Sequence, residues 1–394
     1  MTLLDKNHNN AILLAGILSL IVGVGVARFV FTSLLPAMLE DSLSVSFAGI
    51  LASTNYVGYL SGSIFAIFIK DLNAKVRYFK IGLVLCVLST LVLGITENSL
   101  LWLISRVVAG FGAAMALVVG SAVVMTKLKM QSKTKAMGIH FSGIGFSILV
   151  SDLIMRAVFA AGGNWQDAWI VLALFAIPAS LYSAYILSID KAQQVVVKQH
   201  KFDVSLFSGF VILLIAAYFT EGVGMVVQGT FLPDIINSLP GLERYGGWVW
   251  TLVGVAGIPS CILWMRLAHR YGSVNIIIIA MSIQLIGILI PTFSTNIALN
   301  LLGGVFYGGT FVGLVALFMN LGGKIAGSNP VLLMGALTTA YGVGQVLGPL
   351  YSVKLIDIFS SYNAALYATA VIVASGVVLL LFAKTLMSKS QNQL

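Results

Sequence analysis

Charge is the scarcest thing in this chain. Lys, Arg, Asp and Glu make up 9% of its 394 residues, against about 25% in a soluble globular domain. With 59% hydrophobic residues and a mean hydropathy of +1.01, a water-soluble globule is excluded. Twelve spanning helices fit at roughly 20–30 residues per pass. Cysteine is nearly absent too. Cys86 and Cys261 lie in apolar segments of different halves, so neither a disulfide nor a thiolate metal site is expected. The four histidines, His8, His140, His200 and His269, show no ligand spacing. No H-E-x-x-H, G-x-S-x-G or phosphate-loop pattern occurs, so nothing points to an enzyme, ATPase or intramembrane hydrolase. Gly342–Gly348, GVGQVLG, looks like a dinucleotide loop but sits inside a spanning segment with no strand before it, and no cofactor is expected. The first apolar run has no small-residue cleavage site and reads as helix 1 rather than a removed signal peptide.

What is present is glycine, repetition and an ordered placement of the few charges. The 40 glycines suit a helical bundle in lipid, where small residues let backbones approach closely. Gly25–Pro36, GVARFVFTSLLP, is answered by Gly222–Pro233, GVGMVVQGTFLP, 197 residues on, half of the 394. Met137-Gly138 and Met334-Gly335, Gly145 and Gly342, and Gly112 and Gly309 keep the same spacing. A constant offset over distant pairs is the mark of a duplicated unit. Residues 1–189 and 204–394 are the expected six-helix halves, with 190–203 a cytoplasmic linker.

The net charge of +9 would suggest a nucleic-acid partner in a soluble protein. Here Lys and Arg gather in alternate connections: Lys70–Lys80, Lys127–Lys135, Lys191–Lys201, Arg266–Arg270, Lys324 and the tails. The intervening ones hold Glu40, Asp41, Glu97, Asp167, Glu243 and Arg244. That is the positive-inside pattern, which places both termini in the cytoplasm and makes the bilayer, not nucleic acid, the partner. The spacing predicts helices at about 11–39, 44–69, 77–95, 100–126, 135–161, 166–188, 204–234, 244–268, 273–294, 296–323, 329–359 and 362–384. Trp102, Trp165, Trp169, Trp248 and Trp250 fall near the external ends, where an aromatic belt is expected.

Two connections carry a further signal. Arg266–Ser273 reads RLAHRYGS, and Lys70–Arg77 reads KDLNAKVR after Gly58 and Gly62. These resemble the G-x-x-x-D-R-x-G-R/K loop of the major facilitator superfamily, repeated once per half. His269 stands where an Asp is usual, and the first copy lacks the central Gly. Arg106–Ala114, RVVAGFGAA, resembles that superfamily's helix 4 pattern, and the ARF opening, GTFLP and Ala340–Pro349 are similar to its YbfB/YjiJ-type branch. The resemblance covers nearly the whole chain. It implies an all-α integral membrane protein with twelve helices in two pseudo-symmetric halves, working by alternating access. It also implies a central cavity lined by helices 1, 4, 7 and 10, with 2, 5, 8 and 11 at its sides. Lys70, Asp71, Arg266, His269 and Arg270 are then the conformational loops. A monomer in a bacterial inner membrane is expected.

Five charges are intramembrane: Arg28, Arg106, Asp152, Arg156 and Glu221. Arg28, Asp152 and Glu221 lie about 17 residues from a cytoplasmic end, roughly 25 Å along the axis. The five are therefore expected to form a layer. Intramembrane charge is functional by default, and a guanidinium fork suits a carboxylate or phosphate. Cargo is expected to be a small organic anion or zwitterion held by Arg28 with Arg106 or Arg156. The bland reading for Arg28 is satisfaction by backbone carbonyls, for Arg106 outward snorkelling, and for Asp152 and Arg156 an i,i+4 ion pair. Glu221 has no basic neighbour in sequence at its depth and is the expected proton-coupling group, with Asp152 second; its bland reading is a glutamate hydrogen-bonded to a neighbouring helix. Asn55, Tyr59, Tyr218, Gln228, Tyr307, Thr310, Tyr341 and Gln345 are neutral candidates at similar depth, each alone more often helix–helix glue than a ligand contact. Proton-coupled multidrug export and lipid or lysolipid flipping are the alternatives.

Overall fold

A computed structural model describes residues 4–69, 71–128, 133–188, 208–326 and 330–391. Twelve helices make up the fold, and no strand occurs among the described residues. They are α1 (Asn9–Asp41), α2 (Val45–Phe68), α3 (Leu72–Ile95), α4 (Ser99–Lys127), α5 (Lys133–Ala160) and α6 (Trp165–Ile186). The second half supplies α7 (Gly209–Asn237), α8 (Gly246–Tyr271), α9 (Ser273–Phe293), α10 (Ile297–Ala326), α11 (Pro330–Phe359) and α12 (Tyr362–Gln391). The inter-half linker expected at 190–203 lies outside the described residues, as does Lys70.

Polar residues in the short connections start the helices. Ser44 accepts from the Phe47 amide, Asp71 from Ala74, Asn98 from Leu100 and Leu101, and Asn164 exchanges a capping box with Asp167. Each satisfies amides that a membrane helix cannot leave bare. Among the described residues, eleven helices are long and apolar enough to cross a membrane. The exception is α11, diluted by Thr338, Thr339, Tyr341 and Gln345. It packs between α2, α7, α10 and α12, so it needs no lipid-facing apolar surface on those sides.

Two of the central helices in the first half are not regular. α1 winds as a π-helix over Ile21–Phe29, and α4 over Met115–Val119. An i→i+5 ladder is wide and infrequent, and it gathers at functional sites. The matching stretches of α7 and α10 are ordinary α-helix.

The halves meet along two long seams, α2 with α11 and α5 with α8. Both are close because small residues allow it. A Cβ on Gly254 would come within 2.7 Å of the Leu149 amide, and one on Gly342 within 2.7 Å of Leu60. The C-terminal part of α1 also packs on α7. That end of the bundle, opposite the termini, is called the far face below.

The tryptophans depart from expectation. Only Trp248 is exposed, whereas Trp102, Trp165, Trp169 and Trp250 are buried. Trp102 and Trp165 stack edge-to-face at 5.8 Å, and Trp165 donates to Asp41 at 3.0 Å. These rings pack helices together instead of facing the lipid boundary.

Candidate substrate and coupling sites

Arg28 sits near the end of the π-helical segment of α1, with 6% of its surface exposed. Its guanidinium carbon lies 4.6 Å from the ring centre of Tyr56, 4.7 Å from Tyr59 and 5.2 Å from Phe29. Tyr56 and Tyr59 are one turn apart on α2 and present the same face. Aromatic faces return about 0.5–2 kcal/mol each to a cation, so the three together offset part of the several kcal/mol that burying the ion costs. Nε and Nη2 are buried without a hydrogen-bond partner. Among the described residues no acid pairs with Arg28. A desolvated fork with unused donors is chemically suited to a planar anion.

Arg106 is arranged differently. Its Nη1 donates to the Ala27 carbonyl at 3.1 Å and its Nε to the Leu51 carbonyl at 3.4 Å, with Phe31 4.8 Å beneath the guanidinium. Asn55 donates to the same Ala27 carbonyl at 3.4 Å and to the Arg106 carbonyl at 3.1 Å. Ala27 belongs to the π-helical stretch, where the wide winding lets its carbonyl accept from two side chains. At Gly110 any side chain would overlap the Asn55 carbonyl, so glycine lets α4 lie directly on α2. Arg106 is thus fully inside the protein instead of snorkelling outward.

Asp152 and Arg156 form the expected i,i+4 ion pair, 2.9 Å from Nε to Oδ2. The same carboxylate oxygen accepts from Thr251 of α8 at 2.5 Å, so the pair spans the α5–α8 seam. Arg156 lies 4.6 Å over the Trp248 ring. It borders a cleft of about 570 Å³ at the far face, together with Ser33, Glu40 and Phe159. Neither Arg28 nor Glu221 lines that cleft.

In the second half, Glu221 has no exposed surface. Its Oε1 accepts from Gln284 of α9 at 3.2 Å, and Oε2 has no partner. Tyr218 is stacked between Phe318, at 4.4 Å, and Tyr341, at 4.5 Å. Tyr307 donates to the Met225 carbonyl at 2.8 Å and stacks on Phe311 at 5.1 Å. Gln345 donates to the Met225 sulfur at 3.6 Å, and Gln228 to the Gly287 carbonyl at 3.3 Å. The Thr310 hydroxyl is taken by the Phe306 and Tyr307 carbonyls of its own helix. Gln228, Tyr307 and Gln345 each leave the helix they stand on to bond a neighbour, which is interhelical fastening.

The five charges fall in three places: Arg28 and Arg106 where α1, α2 and α4 meet, Asp152 and Arg156 at the α5–α8 seam, and Glu221 between α7 and α9. Sequence reasoning passed over Tyr56, Phe29, Thr251 and Gln284. Gln284 had a visible signal, since it interrupts the apolar run of helix 9. Phe29 reaches across to the second half, 6.0 Å from Trp250 and 5.9 Å from Phe311.

Four hydrogen bonds traced between the halves lie toward the far face. Thr32 donates to the Gly229 carbonyl, Ser46 to Asp357 at 2.5 Å, Ser53 to the Val346 carbonyl at 3.0 Å and Thr251 to Asp152. At the opposite face, Asp71 caps α3 by accepting from the Ala74 amide at 2.8 Å. Arg266, His269 and Arg270 end α8 exposed, before Gly272 turns the chain at φ 88°. No ion pair from Arg266 or Arg270 occurs among the described residues.

Residues 20–381 match the family described as Uncharacterised MFS-type transporter YbfB. No curated protein matches the chain.

Proposed function

Because the chain belongs to the YbfB family of the major facilitator superfamily, and is an integral membrane transporter on that ground, we propose that it moves a small organic anion or zwitterion by alternating access, coupled to protons. The observation that carries this reading is Arg28. It is a buried guanidinium between aromatic faces, without a counter-ion and with two donors unused. An arginine that serves only the fold would be satisfied by carbonyls, as Arg106 is beside it. Leaving Arg28 unsatisfied costs stability, and an anionic ligand repays that cost on binding.

Alternating access is supported by the uneven closure. The far face is held by α1 on α7 and by four hydrogen bonds, while α4 and α10 make no comparable contact. With the termini in the cytoplasm, this is a state closed to the outside. Glu221 is the proposed proton carrier, because it is buried beside a neutral Gln284 with one oxygen free. Asp152 is the second candidate, already neutralised by Arg156.

Uptake into vesicles reconstituted with the protein tests the cargo assignment. Arg28→Lys keeps the charge but not the flat fork, so transport is expected to fall steeply while the fold persists. Normal transport by Arg28→Lys and Arg28→Ala would show that Arg28 is structural.

A further inference from the structure

Arg28 does not line the far-face cleft, which has its own unsatisfied chemistry. Its volume of about 570 Å³ falls within the range of small-molecule sites. It opens among the ends of α1, α5, α7 and α8, on the side of the Thr32–Gly229 contact away from the termini. Of the five donors of Arg156, only Nε serves Asp152, and Nη2 is buried without a partner. Ser33 stands on the same wall, with its hydroxyl turned to the Asp152 carboxylate. Gly247 lets the guanidinium lie against α8, since a Cβ there would stand 2.5 Å from Nη2, and 28% of the Arg156 side chain stays exposed. Glu40 stands exposed in the lining and brings the opposite charge. Phe159, Met155 and the half-exposed indole of Trp248 make the rest largely apolar.

We propose that this cleft is a second, outer binding site for a zwitterionic solute with an apolar body, of amino-acid type. The carboxylate lies on the exposed part of the Arg156 guanidinium, the ammonium faces Glu40, and the body packs against Trp248 and Phe159. A simple anion meets Glu40 as a like charge, and a simple cation meets Arg156, so only a molecule with both charges suits both groups. The assignment rests on the reading of the protein as a transporter of small organic solutes. It narrows that class to zwitterions.

The test is protection from labelling of the purified protein. Ala37 lines the cleft, and both native cysteines are buried, so an Ala37→Cys variant gives a clean maleimide signal. The probes are phenylalanine, 3-phenylpropionate and phenethylamine, which share a body and differ in charge. Phenylalanine at about nine times its Kd slows labelling about tenfold, because only the unoccupied fraction reacts. The acid and the amine protect much less at the same concentration. Adding Glu40→Gln, at an exposed position that carries no part of the core, lets 3-phenylpropionate protect as well as phenylalanine. Adding Arg28→Met leaves protection intact, which separates this site from the deeper one. The proposal is overturned by no protection, by equal protection from all three probes in the Ala37→Cys protein, by an unchanged ranking after Glu40→Gln, or by loss of protection with Arg28→Met.

Discussion

Arg28 and Met225 hold the same place in the repeat, 197 residues apart, and the chain treats them in opposite ways. Met225 sits in a regular helix, its carbonyl taken by Tyr307 and its sulfur by Gln345. Arg28 sits in a π-helix, between tyrosines, with donors to spare. The same contrast recurs elsewhere. Gly303 stands where the first half has Arg106, Pro349 where it has Asp152, and Val353 where it has Arg156. Going the other way, Glu221 answers Val24. The backbone follows the charge. Both π-helical stretches fall in the half with the three intramembrane arginines, and one of them presents the Ala27 carbonyl that Arg106 uses. The repeated scaffold has divided its labour, with the intramembrane arginines in one half and a fully buried glutamate in the other.

The sharpest way to break that contrast is to give the first half the residue of the second. Arg28→Met is expected to weaken cargo binding by about 2–5 kcal/mol and so abolish transport. It should leave melting unchanged or raise it, because it relieves a buried charge that the aromatic faces offset only in part. Vesicle uptake and thermal melting report the two effects separately, and a loss of stability would mean that Arg28 has a partner in the resting protein.

The second half is tested at Glu221. Glutamine keeps the size and the bond to Gln284 but cannot cycle a proton. Glu221→Gln is therefore expected to bring gradient-driven accumulation down to the level without a gradient, while cargo exchange continues. Unchanged accumulation would move the coupling to Asp152 or to an ion other than the proton.

Arg106→Met should behave oppositely to Arg28→Met. It removes two hydrogen bonds of about 1 kcal/mol each, although the Ala27 and Leu51 carbonyls keep Asn55 and Thr54 as donors, so melting falls. A rise would mean that both arginines are held for ligand.

The smallest effect belongs to Thr32→Val, which deletes the bond to the Gly229 carbonyl. About 1 kcal/mol shifts the far-face equilibrium roughly fivefold toward opening. Spin labels at Leu39 and Asn237 should show a larger share of long distances, and an unchanged distribution would remove Thr32 from the closure.

Much of this arrangement could be read from the residues. Hydropathy placed the helices to within a few positions: helix 1, expected at 11–39, runs Asn9–Asp41, and helix 11, expected at 329–359, runs Pro330–Phe359. The i,i+4 spacing foretold the Asp152–Arg156 pair. What could not be read was direction around each helix axis. A helix apolar on every side gives depth but no preferred face. Nothing in the spacing therefore told that Asp152 faces α8 and that Glu221 faces α9. The π-helical stretches were illegible for a related reason. Their sequences, IVGVGVARF and MALVV, contain nothing that a continuous α-helix would refuse. Gln228 and Tyr307 were chosen for depth, and their partners, the Gly287 and Met225 carbonyls, are backbone atoms that no residue type announces.

Thr32 and Gly229 are the same position counted once in each repeat, and the contact between them lies where the two copies face each other. In a pair of separate, identical subunits that position would meet its own twin, so any choice would be made twice. Two threonines would bring two side chains to a spot with room for one, and two glycines would bring no hydroxyl. Joining the copies in one polypeptide lifts that constraint. One copy keeps the donor, the other gives up its side chain, and the vacated space is taken by Tyr307, whose hydroxyl lies 2.7 Å from where a Cβ on Gly229 would stand. Fusion, in this protein, is what allows a lock and its keyhole to descend from a single ancestral residue.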